Sequence, residues 1–229
     1  MASARILVTG FEPNDDGLNA SQVSVESLIN DAPTSLNTLS EHLRFAILPG
    51  NTNALTETLL AVIEEHQPRF CLLVGQAPGR SKITFERVAT NLRDFKVADR
   101  AGNLETGSRI LLEAPAAYFT TVDALQLANL LEGAGIPAAP SNHAGNHLCN
   151  QALFVALHYA ATRTDLMQPV FMHIPLLPSQ VQGRWADHPT MPLAMVRNGL
   201  ARTICRLGSL VISCETSKTQ SYRDTEHLR

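Results

Sequence analysis

Short apolar runs alternate with helical patterns along the first half of the chain. The first run, "RILVTGF", precedes "NASQVSVESLIN", whose Asn and Ser residues are typical of a helix start. The same change recurs from "LRFAIL" to "NALTETLLAVIEEHQ", and "FCLLVGQ" follows as a continuously apolar strand. Strands that are apolar on both faces are typical of a parallel sheet covered by helices on each side.

The second half continues this alternation of strands and helices. Its predicted elements are, in order, a helix in "VDALQLANLLEGAG", a short strand near "AAPSN", the helix after Cys149, the strand "PVFMHI" and a last helix in "LAMVRNGLARTICRL". We therefore predict a three-layer α/β/α sandwich with a mostly parallel central sheet. Residues 86–121 break the rhythm and indicate a hairpin-like insertion. Residues 1–212 are expected to form a single domain, and the polar residues 213–229 a poorly ordered tail.

Composition narrows the class of protein. A chain of 229 residues with 45% hydrophobic content can bury one substantial core. The formal charge of -3, with scattered Lys and Arg residues, argues against a nucleic-acid partner. A secretory signal pattern and a long apolar run are both missing, so we expect a cytoplasmic protein without a membrane span. Four cysteines are too few and too unpatterned for a disulfide framework.

Three chemically capable residues fall where ligands bind in open α/β sheets, beyond the strand ends. Cys149 opens a predicted helix, whose positive end favours a thiolate and lowers the thiol pKa. His173 ends an apolar strand, and Glu86 follows the loop after another strand. If the three meet, the cysteine is the nucleophile, the histidine the general base and the glutamate its orienting partner. This arrangement predicts acyl-transfer hydrolysis through a thioester.

The residues alone leave simpler interpretations open. A cysteine at a helix start is more often structural, a histidine ending a strand is usually a satisfied core or rim residue, and a loop glutamate is usually solvated. A metal site formed by His143, His147 and Cys149 is a further alternative. Two observations argue against a pair of histidines on one helical face. Gly145 lies between His143 and His147, and both histidines precede the predicted helix.

Motifs along nearly the whole chain resemble those of the type I pyroglutamyl peptidases, also called pyrrolidone carboxyl peptidases. The matching segments, in family order and spacing, are "ILVTGFEP", "GQAPGRSKITFERVATN", "APAAYFTT", "GIPAA", "HAGNHLCN" and "FMHIPLLPSQ". The resemblance implies an α/β cysteine peptidase that removes N-terminal pyroglutamate from peptides, works without a metal or cofactor and forms a homodimer or homotetramer. By motif position, Cys149 is the implied nucleophile, His173 the base and Glu86 its partner.

The resemblance also implies a set of substrate-binding positions. They are Phe11, Asn14, Asn19, Gln76, His147 and Leu148. Lys96 stands where the family places an arginine near the site, to support the oxyanion or the catalytic side chains. Backbone N–H groups at Cys149 and the preceding turn are the natural oxyanion donors. From the residues alone, Phe11 fits a core position equally well, Asn19 fits a helix N-cap, and Gln76 fits a loop position where only the backbone matters.

Departures from the family motifs cluster on the implied substrate pocket. Asn14 replaces the second phenylalanine of the first motif, and His147 replaces an aromatic residue two positions before the cysteine. Pro78 replaces a glycine, and Lys96 replaces the arginine, which loses a fixed fork of donors. These changes make the expected lactam slot more polar. They leave open a related cysteine amidohydrolase with altered acyl specificity, or a catalytically silent binding relative.

Overall fold

The computed structural model describes residues 5–13, 17–163, 167–181 and 186–226. Within these ranges the strands are β1 (Ile6–Phe11), β2 (Leu43–Leu48), β3 (Phe70–Gln76), β4 (Ile83–Glu86), β5 (Val88–Thr90), β6 (Ala117–Phe119), β7 (Ala138–Ser141) and β8 (Gln168–Ile174). The α-helices of the same ranges are α1 (Ala20–Asn30), α2 (Thr52–His66), α3 (Ala124–Glu132), α4 (Leu148–Thr162) and α5 (Leu193–Glu226). Two 3-10 helices span Thr34–His42 and Pro178–Gln180.

A central sheet carries six of these strands in the order β2-β1-β3-β8-β4-β7. The first four are parallel to their neighbours, β4 is antiparallel to β8, and β7 is parallel to β4. Strands β5 and β6 form a separate antiparallel pair within the segment that interrupts the strand–helix alternation. The predicted α/β class, mostly parallel sheet and hairpin-like insertion are therefore confirmed.

Helices cover both faces of the sheet because alternate side chains of each strand enter two separate cores. On β1, Ile6 and Val8 belong to the core under α1, α3 and α5, whereas Leu7 belongs to the core under α2 and α4. Strand β3 divides its residues in the same way, with Leu72 on the first side and Leu73 on the second. Three layers follow from this strict alternation.

The same alternation places three functional positions on the side of the sheet that faces α4. Phe85 and Met172 lie in the opposite core, so their neighbours Glu86 and His173 face α4. On β3, Gly75 is the direct partner of His173 in the strand register. The sheet thus delivers these positions to the face from which α4 presents its first turn.

Helix α4 begins directly after a turn that needs a left-handed glycine. Gly145 has φ +83°, a backbone conformation that L side chains rarely adopt, and His147 is the N-cap. Cys149 is accordingly the second helical residue. The Asn150 side chain accepts a hydrogen bond from the Thr90 N–H at 2.9 Å and donates to the Thr90 carbonyl at 2.8 Å. These bonds tie the start of α4 to the insertion.

The last helix extends beyond the predicted one. Helix α5 reaches Glu226, whereas the sequence pattern indicates a polar tail over residues 213–229. Its buried apolar residues include Val196, Leu200 and Ile204, and the polar later segment has no apolar period from which a helix is predicted. The order of that segment stays a prediction. Of the helices in the described part of the chain, none combines the length and apolar character needed to cross a membrane.

Candidate active site

A pocket of about 410 Å³ lies at the end of the sheet where β1, β3 and β8 finish and α4 starts. Its lining includes seven of the predicted catalytic and substrate-binding positions: Phe11, Asn19, Gln76, His147, Leu148, Cys149 and His173. Glu86 lies behind this wall, in contact with His173. Lys96 is exposed and does not line the pocket, and Asn14 lies outside the described residues.

Glu86 and His173 form a buried hydrogen-bonded pair. Nδ1 of His173 lies 2.8 Å from Oε1 of Glu86, and the two residues are only 3% and 1% exposed. Glu86 is therefore the last residue of a buried strand and not a solvated loop carboxylate. An Nδ1–H donated to the carboxylate leaves Nε2 of the imidazole as the acceptor.

The environment of this pair keeps the carboxyl ionised and the imidazole neutral. Burial alone would raise the pKa of Glu86, but hydrogen bonds from His173 and Ser141, with the charge of Arg80, hold it below its usual value. Burial lowers the pKa of His173, opposed by Glu86 and assisted by the charges of Arg80 and His143. A neutral imidazole beside a carboxylate is suited to accept a proton.

The sulfur of Cys149 occupies space that a glycine leaves open. A Cβ atom built on Gly75 would lie 2.8 Å from Sγ of Cys149 and 2.8 Å from Cζ of Phe171. Gly75 is also the register partner of His173, and neighbouring strands lie about 4.8 Å apart. The sulfur therefore sits on the strand next to the histidine, and both side chains line the same pocket.

The prediction of a lowered cysteine pKa is wrong for the free protein. Burial raises the pKa of the Cys149 thiol to about 12, and the Glu86 charge adds to this effect. The Arg80 charge and the backbone N–H of Cys149 act in the opposite direction without overcoming it. Desolvation thus raises the pKa of the thiol by more than the start of the helix lowers it. Cys149 therefore rests as a thiol, which would have to lose its proton in order to attack a carbonyl carbon.

Two polar residues of the pocket are held by the start of α1. Oδ1 of Asn19 accepts from the Ser21 N–H at 2.9 Å, which confirms the N-cap interpretation, while the same residue lines the pocket. Oε1 of Gln76 accepts from the Ala20 N–H and from Nε2 of Gln180, both at 2.9 Å. With its oxygen bound in this way, the Gln76 amide has its N–H donors for a ligand.

Aromatic surfaces form another part of the pocket. Phe11 is 4% exposed and packs against Phe171 with ring centroids 6.5 Å apart, so it serves both the core and the pocket wall. The His147 ring packs on Phe95 with centroids 4.0 Å apart, and its Nε2 lies 3.3 Å from the Val97 carbonyl oxygen. Burial lowers the pKa of His147. The histidine thus presents a neutral ring where the family motif has an aromatic residue.

A loop in the insertion, residues 97–100, lines the pocket and was missed by the sequence analysis. Asp99 holds it by accepting hydrogen bonds from the Thr52 N–H at the start of α2 and from the Ala101 N–H. Arg100 pairs with Glu12 at 3.4 Å across the pocket. An isolated Asp or Arg in an irregular segment carries no sequence pattern that identifies such a role.

Arg80 is another residue of the candidate site to which the sequence analysis gave no role. It lines the pocket, and its Nη1 lies 2.5 Å from Oε1 of Glu86. The only signal was its presence in the "GQAPGR" motif.

The first turn of α4 offers backbone donors beside the sulfur. The N-cap residue His147 makes no side-chain capping bond to them. The first N–H groups of a helix have no partner within the helix, so those at Leu148 and Cys149 are available to a developing oxyanion. In the part of the chain that the structure describes, no three His, Cys, Asp or Glu residues are grouped to hold a metal, so His143, His147 and Cys149 form no such cluster.

The comparison with known sequences decides the family. A profile described as pyroglutamyl peptidase matches residues 4–207. The chain belongs to this family. A pyrrolidone-carboxylate peptidase of Vibrio vulnificus is 33% identical over 224 residues, which cover 97% of this chain and 96% of the relative. A Thermococcus kodakarensis protein of the same name is 36% identical over 197 residues, with 86% and 92% covered.

Solved structures agree with this assignment. Pyrrolidone carboxyl peptidase from Fervidobacterium islandicum is similar with a TM-score of 0.81 at 30% identity, covering 90% of this chain and 99% of that one. Pyroglutamyl peptidase I from Bacillus amyloliquefaciens gives a TM-score of 0.79 at 29% identity, covering 88% and 95%. The expected family is confirmed, and the protein is a hydrolase of peptide bonds in a family of cysteine peptidases.

Proposed function

We propose that this pyroglutamyl peptidase family member removes an N-terminal pyroglutamyl residue from peptides through a thioester on Cys149. The observation that carries the proposal is the 2.8 Å hydrogen bond between Glu86 and His173, because the side chain of His173 lines the same pocket as Cys149. Nucleophile, base and orienting carboxylate are the three parts that thiol-dependent amide hydrolysis needs.

In the first half-reaction the sulfur attacks the carbonyl carbon of the amide that links the pyroglutamyl residue to the rest of the peptide. The thiol proton of Cys149 passes to Nε2 of His173 as the C–S bond forms, because the resting thiol is not ionised. Glu86 stabilises the resulting imidazolium through Nδ1. Backbone N–H groups of the first turn of α4 bind the oxyanion. Collapse breaks the C–N bond, and His173 gives its proton to the departing amine.

In the second half-reaction water hydrolyses the thioester. His173 takes a proton from the water as it attacks, and returns it to the sulfur of Cys149 when the C–S bond breaks. Free pyroglutamate and the restored thiol result. The peptide shortened by one residue leaves before this step, which gives the reaction two chemical stages with different leaving groups.

The pocket suits an acyl group without a positive charge. Pyroglutamate is a lactam with no free amine, so it needs no carboxylate partner. The two pocket carboxylates are already engaged, Glu12 by Arg100 and Asp99 by backbone N–H groups of its own loop and α2. Phe11 and His147 offer flat ring surfaces, and the Gln76 amide offers N–H donors for the lactam carbonyl.

A second candidate keeps the chemistry and changes the acyl group. His147 is the observation that favours it, because a polar ring forms the wall where the family motif has an aromatic residue. A related amidohydrolase of this kind would turn over other small N-acyl amides in preference to pyroglutamyl ones. A panel of such amides, assayed beside the pyroglutamyl amide, separates the two candidates.

The test is hydrolysis of a chromogenic pyroglutamyl amide under reducing conditions. We expect turnover by the wild type and a loss of at least about 10³-fold in Cys149→Ser and Cys149→Ala, because the nucleophile is removed. Cys205→Ser is the matched control, since that thiol lies on α5 and donates to the Ser35 carbonyl. Equal rates in wild type and Cys149→Ser, or no turnover by reduced wild type, would refute the proposal.

A further inference from the structure

One guanidinium group joins two separate parts of the site. Nη1 of Arg80 donates to Oε1 of Glu86 at 2.5 Å and also contacts Oγ1 of Thr84. Nη2 of the same side chain donates to the carbonyl oxygen of His143 at 2.7 Å. Nη1 also reaches Oγ of Ser141 at 3.5 Å. Arg80 itself lies in the loop between β3 and β4. Its contacts are with residues of β4, of β7 and of the loop between β7 and α4.

The two ends of this bridge carry different members of the catalytic group. Glu86 orients His173, and Arg80 and His173 bind the same carboxylate oxygen. His143 lies in the loop between β7 and α4, six residues before Cys149. A planar fork with fixed N–H directions is suited to hold two acceptors at a set separation, which an ammonium group does not do. The bridge therefore links the position of the base to that of the nucleophile.

Arg80 also adds a positive charge beside His173, which carries an additional proton for part of the proposed catalytic cycle. The titratable groups that face His173 are Glu86 on β4, Arg80 in the β3–β4 loop, His143 in the β7–α4 loop and Cys149 on α4. Arg80 opposes protonation of His173 and favours ionisation of Cys149. Its loss would make the imidazole easier to protonate and the thiol harder to ionise.

We propose that Arg80 is a positioning residue of the peptidase, which holds Glu86 and the loop before Cys149 in the arrangement that catalysis requires. The inference rests on the proposed function for its kinetic part. It concerns a side chain that acts through Glu86 and the His143 carbonyl and takes no part in bond making.

Two substitutions separate the charge of Arg80 from its fork. Arg80→Gln removes the charge and the fork, whereas Arg80→Lys keeps the charge and loses the double contact. Arg87→Gln is the matched control, because Arg87 is an exposed arginine whose side chain donates to Oδ1 of Asn142 in the β7–α4 loop at 3.2 Å and not to the Glu86 carboxylate. Thermal unfolding of each variant checks that it is folded.

The first readout is the pH dependence of kcat/KM on a pyroglutamyl amide. In Arg80→Gln we expect kcat to fall about tenfold or more, and the acid limb to move to higher pH, because the cation that opposes His173 protonation is gone. Arg80→Lys should keep the acid limb near its wild-type position and still lose kcat. Arg87→Gln should match the wild type in both.

The second readout does not need peptidase activity. It is the rate at which iodoacetamide modifies Cys149 at a fixed pH, followed by mass spectrometry of the peptide that contains this residue. We expect a fall of about three- to tenfold in Arg80→Gln, with Arg80→Lys and Arg87→Gln close to wild type, since the rate follows the thiolate fraction. If the wild type does not cleave pyroglutamyl amides, the proposed function fails and this measurement still decides the role of Arg80.

Two results would overturn the proposal. The first is Arg80→Gln behaving like Arg87→Gln in both readouts. The second is a uniform loss of kcat/KM at every pH with an unchanged modification rate, which indicates a purely structural role. If Arg80→Gln does not fold, Arg80→Lys decides alone. A kcat equal to wild type in that variant would then contradict the bridge.

Discussion

His173 donates from Nδ1 to Oε1 of Glu86 across 2.8 Å, inside a wall that solvent does not reach. The bond fixes which nitrogen carries the proton, so that Nε2 is the one that can receive a proton from Cys149. In the proposed mechanism it also places a negative charge beside the imidazolium that forms on His173. Catalysis should therefore depend on the charge of Glu86 as well as on its shape.

Glu86→Gln tests this dependence. We expect kcat on a pyroglutamyl amide to fall about 10²- to 10⁴-fold, because an amide of the same shape neither stabilises the imidazolium nor selects the same tautomer. Glu132→Gln is the control, since that residue is half exposed on α3 and pairs with Lys82 at 3.7 Å. A kcat for Glu86→Gln within threefold of wild type, about 0.6 kcal/mol, would show that the carboxylate charge is dispensable.

The alkylation rate of Cys149 should rise steeply with pH. Burial raises the pKa of this thiol to about 12, so the thiolate fraction increases about tenfold per pH unit between about pH 6 and about pH 9. Iodoacetamide modification in the absence of substrate should follow this slope and show no plateau in that range. Cys149→Ser identifies the signal. A plateau between about pH 5 and about pH 7 would instead indicate a thiolate–imidazolium pair in the free protein.

The sequence was sufficient where a local pattern determines the outcome. The strand "FCLLVGQ" coincides with β3, because a continuously apolar run is stable in the middle of a sheet that helices cover on both faces. The run "LRFAIL" coincides with β2, an edge strand whose four central residues are only partly buried. Motif order likewise indicated that Cys149 and His173 meet. The pairing of Glu86 with His173 depends on β4 running antiparallel to β8, and no pattern within "ITFE" specifies that direction.

Features that depend on the tertiary surroundings of a residue could not be predicted from the sequence. The pKa of Cys149 follows from how much protein covers the sulfur, whereas the sequence shows only the helix start that opposes this effect. The contacts of Arg80 with Glu86 and His143 require the β3–β4 loop to fold over β4. The Arg80 side chain remains 27% exposed, and its bond to the His143 carbonyl joins residues 63 positions apart in the sequence. Lys96 is a converse case, since its motif position does not bring it into the pocket.

Gly75→Ala should impair the nucleophile more than the fold. The added Cβ would lie 2.8 Å from Sγ of Cys149, so either the sulfur moves away from His173 or the Phe171 ring shifts. We expect a loss of kcat of more than about tenfold, with about 1–3 kcal/mol of destabilisation from overpacking. Gly133→Ala is the control, because its Cβ would meet only backbone carbonyls, the nearer at 3.3 Å. An unchanged kcat in Gly75→Ala would contradict the position of the Cys149 sulfur against Gly75.

His147→Phe should improve binding of the pyroglutamyl group. The substitution keeps the ring that packs on Phe95, loses the contact with the Val97 carbonyl and restores an apolar wall. Stacking of about 0.5–1.5 kcal/mol corresponds to a KM lower by about two- to tenfold, with kcat little changed. His66→Phe, on α2 away from the pocket, is the control. A higher KM, together with faster turnover of another N-acyl amide by the wild type, would indicate that His147 selects a more polar acyl group than pyroglutamate.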